Sequence, residues 1–148
     1  MTEEIWYFAY GSNLNLGQMM TRIGEWSVSK RAKLTGHKLT FDFPSERWGG
    51  LTANIVKTSN AEDNVWGVVY RISPEKLEVL THRYERVPPQ GIKVDADGVK
   101  ITAKVYVFKP GKPGRPPDAY LNVMLAGLRQ HGYPDEVIET VKRTATNL

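Results

Sequence analysis

The residues best suited to chemistry lie in two short stretches, Tyr10-Gly11-Ser12-Asn13-Leu14 and His82-Arg83-Tyr84-Glu85-Arg86. In the first, Gly11 lets the backbone turn tightly and approach a ligand with no Cβ in the way. Successive N–H groups of such a turn can form an anion-binding nest, helped by a helix that starts just behind it. An ordinary structural turn has the same composition, so both readings stay open. In the second stretch Glu85 offers a carboxylate, a group that can take and return a proton. Leu77, Leu80 and Tyr84 form an apolar stripe at helical spacing, and Glu85 falls about 100° round from it. Periodicity therefore expects Glu85 at the helix edge, flanked by Arg83 and Arg86, and does not prefer it to Glu75 or Glu78.

Other chemistries lack their residues. The chain has no cysteine, which excludes disulfides, thiol nucleophiles and cysteine-ligated metals and fits a reducing compartment. Its three histidines, His37, His82 and His131, form no paired metal motif, and His82 with Glu85 is at most half of one. Gly11-Ser12 is not followed by the Lys-Ser/Thr of a phosphate-binding loop, and no G-x-S-x-G nucleophile elbow is present. Trp6, Trp26, Trp48 and Trp66 are spread along the chain and read as core or rim, not as a base-stacking platform. The formal net charge is +4, with the densest basic run at Lys30-Arg31-Ala32-Lys33. A short run of this kind is ordinarily a solvated face, and an RNA-associated domain is the weaker alternative. Acids near the N-terminus argue against a secretory signal, and no apolar run approaches the ~20 residues of a membrane span. A cytoplasmic protein without membrane contact is expected.

The elements that must position these residues read as one α+β domain. At 148 residues, 41% hydrophobic and 24% charged, the chain can bury a core without staples. Ile5–Tyr10 is a compact apolar run that Gly11 ends, hence a buried strand. Asn13 or Asn15 caps a short helix carrying Leu16, Met19, Met20 and Ile23, stopped by Gly24. Strands follow around Lys33–Thr35 and Leu39–Phe43, the latter ended by Pro44, with a loop over Ser45–Gly50. Leu51–Lys57 and Val65–Ile72 are two further strands. Ser73-Pro74-Glu75 opens a helix with a serine cap, a proline at the first position and an acid in the first turn. Pro88-Pro89 stops it. Asp97-Gly98 marks a tight hairpin within Gly91–Phe108. Residues 110–117 form a loop rich in proline and glycine. Asp118 caps a helix with Tyr120, Leu121, Met124, Leu125 and Leu128, and Pro134 opens a last helix. Such an order gives a largely antiparallel sheet able to curl into a barrel.

Taken together, YFAYGSNL at 7–14, Ala53-Asn54-Ile55, Val65–Tyr70, LTHRYERVPPQG at 80–91 and PPDAYLNVMLAGLRQHGYP at 116–134 resemble the γ-glutamylcyclotransferase-like family, in the family's order. The resemblance implies a small mixed, largely antiparallel β-barrel flanked by helices. It implies cleavage of a γ-glutamyl amide by the substrate's own α-amine, releasing 5-oxoproline and an amine or amino acid, with no metal or organic cofactor. It implies Glu85 as general acid/base, and Tyr10, Gly11, Ser12, Asn13, Leu14 and Tyr120 as substrate-binding residues. Arg83 and Arg86 would lower the Glu85 pKa, and burial would raise it. Arg86 stands where the family usually has glycine and is a candidate contact for an acidic part of the substrate. The partner implied is a small γ-glutamyl molecule, with glutathione, γ-glutamyl amino acids, γ-glutamyl amines and natural products all open. The oligomeric state is left open. The alternative is a non-catalytic binding or interaction module on the same fold. The loops Ser45–Gly50 and Lys109–Pro117 are expected to border the pocket.

Overall fold

The N-terminal aromatic run forms β1 (Ile5–Ala9) and closes a barrel in a computed structural model that describes residues 3–146. Four more barrel strands are β2 (Val28–Thr35), β5 (Asn64–Ile72), β6 (Gln90–Ala96) and β7 (Val99–Val105). The hairpin β3 (His37–Ser45) and β4 (Gly50–Lys57) lies between β2 and β5 in sequence. The barrel order is β1-β5-β2-β6-β7, antiparallel throughout except where β1 meets β7 in parallel at Tyr7 and Lys104. The expected mixed, largely antiparallel barrel is therefore present. Its strands are covered on both faces, since the consecutive residues Val68, Val69 and Tyr70, and Phe8 beside them, are all essentially inaccessible. Asp97 and Gly98 both take positive φ, as a two-residue hairpin requires.

β3 and β4 pair as a separate two-stranded sheet, and the proline expected to end β3 lies inside it. Pro44 opposes Leu51, which a sheet with only edge strands tolerates because the missing N–H can face outward. A bulge between Phe41 and Phe43 inserts Asp42 into β3. Asp42 is buried and accepts a hydrogen bond from Asn54 Nδ2 at 2.9 Å. The Asn54 side chain also donates to the Phe108 carbonyl and accepts from the Phe108 N–H, both at 3.0 Å. This fully buried amide pins the segment that leaves the barrel onto the hairpin.

The helices are α1 (Leu16–Ile23), α2 (Pro74–Val79), α3 (Asp118–Gln130) and α4 (Asp135–Thr146). Asn15, not Asn13, caps α1 by accepting the Gln18 N–H, and Ser73 caps α2 as its sequence expects. Asp118 is the first residue of α3, and the flanking position is Pro117, so this acid faces the helix dipole without capping. None of these helices is long and apolar enough to cross a membrane.

Helix α2 does not continue as an α-helix. Residues Leu80–Glu85 form a π turn, in which the Arg86 N–H reaches back five residues to the Thr81 carbonyl at 2.8 Å. Just before it, Thr81 Oγ1 and Tyr106 Oη converge on the Leu77 carbonyl, each at 3.1 Å. Side chains that bond into a helix ladder accompany irregularities of this kind. Arg86 then ends the turn in the left-handed region, at φ 63°.

Helix α3 lies hard against the turn after β1 because Gly127 has no side chain. A Cβ there would meet the Asn15 nitrogen and the Leu14 carbonyl carbon at 2.5 Å. In an unconstrained helix Gly→Ala stabilises by about 1 kcal/mol. Here Gly127→Ala is expected to destabilise by about 1–3 kcal/mol through overpacking, read as a lower urea midpoint. A higher midpoint would show that the contact yields.

Candidate active site

The turn after β1 is held from behind before it meets any ligand. Leu14 N–H donates to the Gly11 carbonyl at 3.1 Å and Asn15 N–H to the Ser12 carbonyl at 3.0 Å, giving a buried 3₁₀ turn over Ser12–Leu14. Tyr70 Oη donates to the Asn13 carbonyl at 2.8 Å, and His131 Nε2 to the Leu14 carbonyl at 3.0 Å. Burial lowers the His131 pKa, and its bond to the Leu14 carbonyl works against that. The need for glycine at position 11 is steric: a Cβ there would lie 2.6 Å from Tyr120 Oη. That hydroxyl accepts the Ala53 N–H at 3.1 Å, so α3, β4 and the turn meet at one oxygen.

The π turn changes what Glu85 faces. A turn closed over five residues instead of four brings residue 85 back toward the buried Leu80 side. α-Helical spacing expects Glu85 at the helix edge; instead its side chain lines the cavity and is 20% exposed. Arg22 Nη1 lies 4.0 Å from Glu85 Oε1, and the Arg22 side chain is only 8% exposed. Burial raises the Glu85 pKa; Arg22 and then Arg47 oppose it, and the net result is upward. The cations acting on the carboxylate are thus not Arg83 and Arg86, which are both exposed. Arg22 and Arg47 also stack over the Tyr84 ring, 4.3 and 4.9 Å from its centroid.

The cavity between these groups has a volume of about 80 Å³. Drug-sized sites run to roughly 300–1,000 Å³, so this one admits the head of a small polar molecule. Tyr10, Gly11, Ser12, Asn13, Glu85 and Tyr120 all border it. Leu14 does not; it is fully buried in the core and contributes to the turn through its backbone. Arg86 does not either, and borders a separate surface hollow with His82, Val87 and Pro88. The Ser45–Gly50 loop supplies Ser45, Arg47 and Trp48, as its position suggests. The loop Lys109–Pro117 supplies no lining residue and packs on the hairpin, where Gly114 N–H donates to the Phe41 carbonyl at 2.9 Å.

Sequence reasoning missed Tyr7, Arg22 and Tyr106 as lining residues. The signal for Arg22 was faint but real. It follows Gln18 by four residues on α1, and both side chains reach Asn13 Oδ1 at 3.1 Å. Tyr106 carries no local signal, because only barrel closure brings it beside β1.

Residues 64–141 match the model of the AIG2-like family. The mouse γ-glutamylcyclotransferase is 32% identical over 98% of this chain and 81% of its own length. The human γ-glutamylcyclotransferase is 27% identical over the same shares. A solved γ-glutamyl cyclotransferase structure superposes with a TM-score of 0.86 at 28% identity, covering 95% of this chain and 87% of the other. On a likeness that runs nearly end to end, this chain belongs to the AIG2-like family of γ-glutamylcyclotransferase-type enzymes.

Proposed function

We propose that the chain cleaves a γ-glutamyl amide by intramolecular cyclisation, with Glu85 as general acid/base. The observation that carries this reading is the π turn that sets the Glu85 carboxylate into the cavity lined by Tyr10–Asn13. The substrate's α-amine is protonated near neutral pH. Glu85 takes a proton from it, and the free nitrogen attacks the γ-carbonyl carbon. The C–N bond of the amide then breaks as the leaving nitrogen receives that proton from Glu85, and the regenerated carboxylate takes the second proton from the ring nitrogen and passes it to the released amine. The products are 5-oxoproline and an amine or amino acid, and no water is consumed.

A carboxyl with a raised pKa suits both transfers, since general catalysis works best when the group's pKa lies near the working pH. The turn Tyr10–Asn13 and Tyr120 hold the glutamyl part. Nucleophile and electrophile belong to one molecule, so the protein needs only to freeze the folded rotamer. The leaving portion extends past Arg47, Trp48 and Tyr84 at the mouth, which Gly17 and Thr21 widen.

The test is release of 5-oxoproline from a panel of glutathione, γ-glutamyl amino acids and γ-glutamyl amines, read by chromatography. At least one is expected to turn over, and Glu85→Gln is expected to reduce its kcat by about 10²–10⁴-fold. Turnover that survives Glu85→Gln rejects Glu85 as the base.

The pH dependence follows from the direction of the shift. The acid limb of kcat/KM should lie above the ordinary glutamate value of about 4.3. Arg22→Gln removes a cation that lowers the Glu85 pKa, so it should move that limb to higher pH. Folding raises this carboxyl's pKa, so its contribution to stability is complete below the unfolded pKa and is lost as pH rises through the folded one. The Tm difference between Glu85→Gln and wild type should therefore grow in the variant's favour from about pH 4 to about pH 8. A constant difference would mean an ordinary, solvated carboxyl.

A further inference from the structure

Four buried tyrosines border the cavity, and their hydroxyls are oriented in two opposite ways. Tyr10 donates its proton to the Tyr106 carbonyl at 2.6 Å, and Tyr106 donates to the Leu77 carbonyl at 3.1 Å. Both protons are held by the protein. Tyr120 instead accepts the Ala53 N–H. Tyr7 likewise accepts, from Asn13 Nδ2 at 3.0 Å.

The direction at Tyr7 does not rest on how the Asn13 amide is drawn. A guanidinium can only donate, so the Asn13 atom 3.1 Å from Arg22 Nη1 must be the carbonyl oxygen. Gln18 Nε2 donates to the same oxygen at 3.1 Å. The amide nitrogen is thereby turned to Tyr7, to which it can only donate. Among the described residues no acceptor receives the Tyr7 proton. The ring cannot turn away, because it stacks on Tyr70 and meets Tyr106 edge-on. Burial and the nearby Glu85 push its pKa well up, so the hydroxyl keeps its proton and has it free to donate.

We infer that the Tyr7 hydroxyl donates a hydrogen bond to the substrate's γ-carbonyl oxygen as that oxygen gains negative charge, and that Asn13 aims it there. The inference rests on the cyclisation reading. In so small a cavity the attacking amine, whose proton goes to Glu85, and the carbonyl it attacks are immediate neighbours. A donor that shares this space with Glu85 is therefore beside the oxygen where charge develops. A fixed donor at such a site is worth roughly 10²–10³ in rate. Arg22 and Gln18 act through Asn13 and are positioning residues.

Tyr7→Phe removes the donor and keeps the ring contacts. With the fastest substrate of the panel, its kcat should fall about 10²–10³-fold, with the acid limb of the pH profile unmoved. Asn13→Asp puts a second acceptor opposite Tyr7, which captures its proton. That variant should also lose kcat, and the double variant should be no slower than Asn13→Asp alone, since both changes remove one interaction. Wild-type kcat in Tyr7→Phe beside an inactive Glu85→Gln overturns the inference and leaves the cyclisation reading standing. A shifted acid limb with plateau kcat retained also overturns it, because the hydroxyl would then serve Glu85 and not substrate. Additive losses in the double variant overturn the role given to Asn13. A wild type inert on the whole panel overturns the cyclisation reading and this inference together.

Discussion

The geometry of the site depends on a carboxylate held inside the protein at ion-pair range from a guanidinium that is itself nearly buried. Removing each ion from water carries an effective penalty of several kcal/mol. Two unit charges 4 Å apart regain about 4 kcal/mol at an effective dielectric of 20. These magnitudes are close, so neither decides outright, and the balance falls on the side of a raised carboxyl pKa. Direct contact would tip it the other way. Arg22 is kept from closing on Glu85 by its other engagements, a hydrogen bond to Asn13 Oδ1 and the face of Tyr84. The same arginine thus tunes the carboxylate and fixes the amide of the facing turn.

That turn is the second fixed body. Its carbonyls are held by Tyr70 from β5 and His131 from beyond α3, and Gly127 lets α3 press against its backbone. Tyr120, on the same helix, reaches over to take the Ala53 N–H of β4 and to occupy the space that a side chain at Gly11 would need. A loop carrying function is usually the soft part of a fold. Here it is tied to a barrel strand, a hairpin strand and a helix. Preorganisation of this kind is what makes hydrogen-bond donors effective against developing charge.

The sequence made the scaffold legible wherever the signal was local. β1, the hairpin at Asp97-Gly98, the Ser73-Pro74 helix start and the glycine stops all carry their physics in adjacent residues. Pro44 misled because a strand in a two-stranded sheet has a free edge. The larger failure was Glu85. Spacing puts it at a helix edge because spacing assumes an unbroken α-helix, whereas Leu80–Glu85 is a π turn, beside which the Leu77 carbonyl is bonded by Tyr106 from 29 residues away. A window of sequence around Glu85 contains Thr81, the other group at that carbonyl, but not Tyr106. The resemblance of Tyr84-Glu85 to a family motif pointed to a residue that lines the cavity without saying what turns it there. Arg83 and Arg86 misled for the same reason: adjacency in sequence suggested a charge pair, whereas the π turn leaves them exposed and Arg22 comes from another element.

The π turn is therefore more than a local irregularity. Tyr106 sits just past β7, beside the barrel seam where β7 meets β1, and its hydroxyl occupies the Leu77 carbonyl together with Thr81. Its backbone carbonyl takes the proton of Tyr10, at the mouth of the turn. One residue thus links the turn that would hold a glutamyl group to the irregular helix that presents the carboxylate. On the cyclisation reading these two parts must keep their separation to within a fraction of an ångström, because the reacting nitrogen and carbon sit between them. Two independent loops would each add their own motion to that distance. A single residue bonded on one side through its backbone carbonyl and on the other through its hydroxyl does not, and the irregular helix at Leu80–Glu85 is held to the turn by that link.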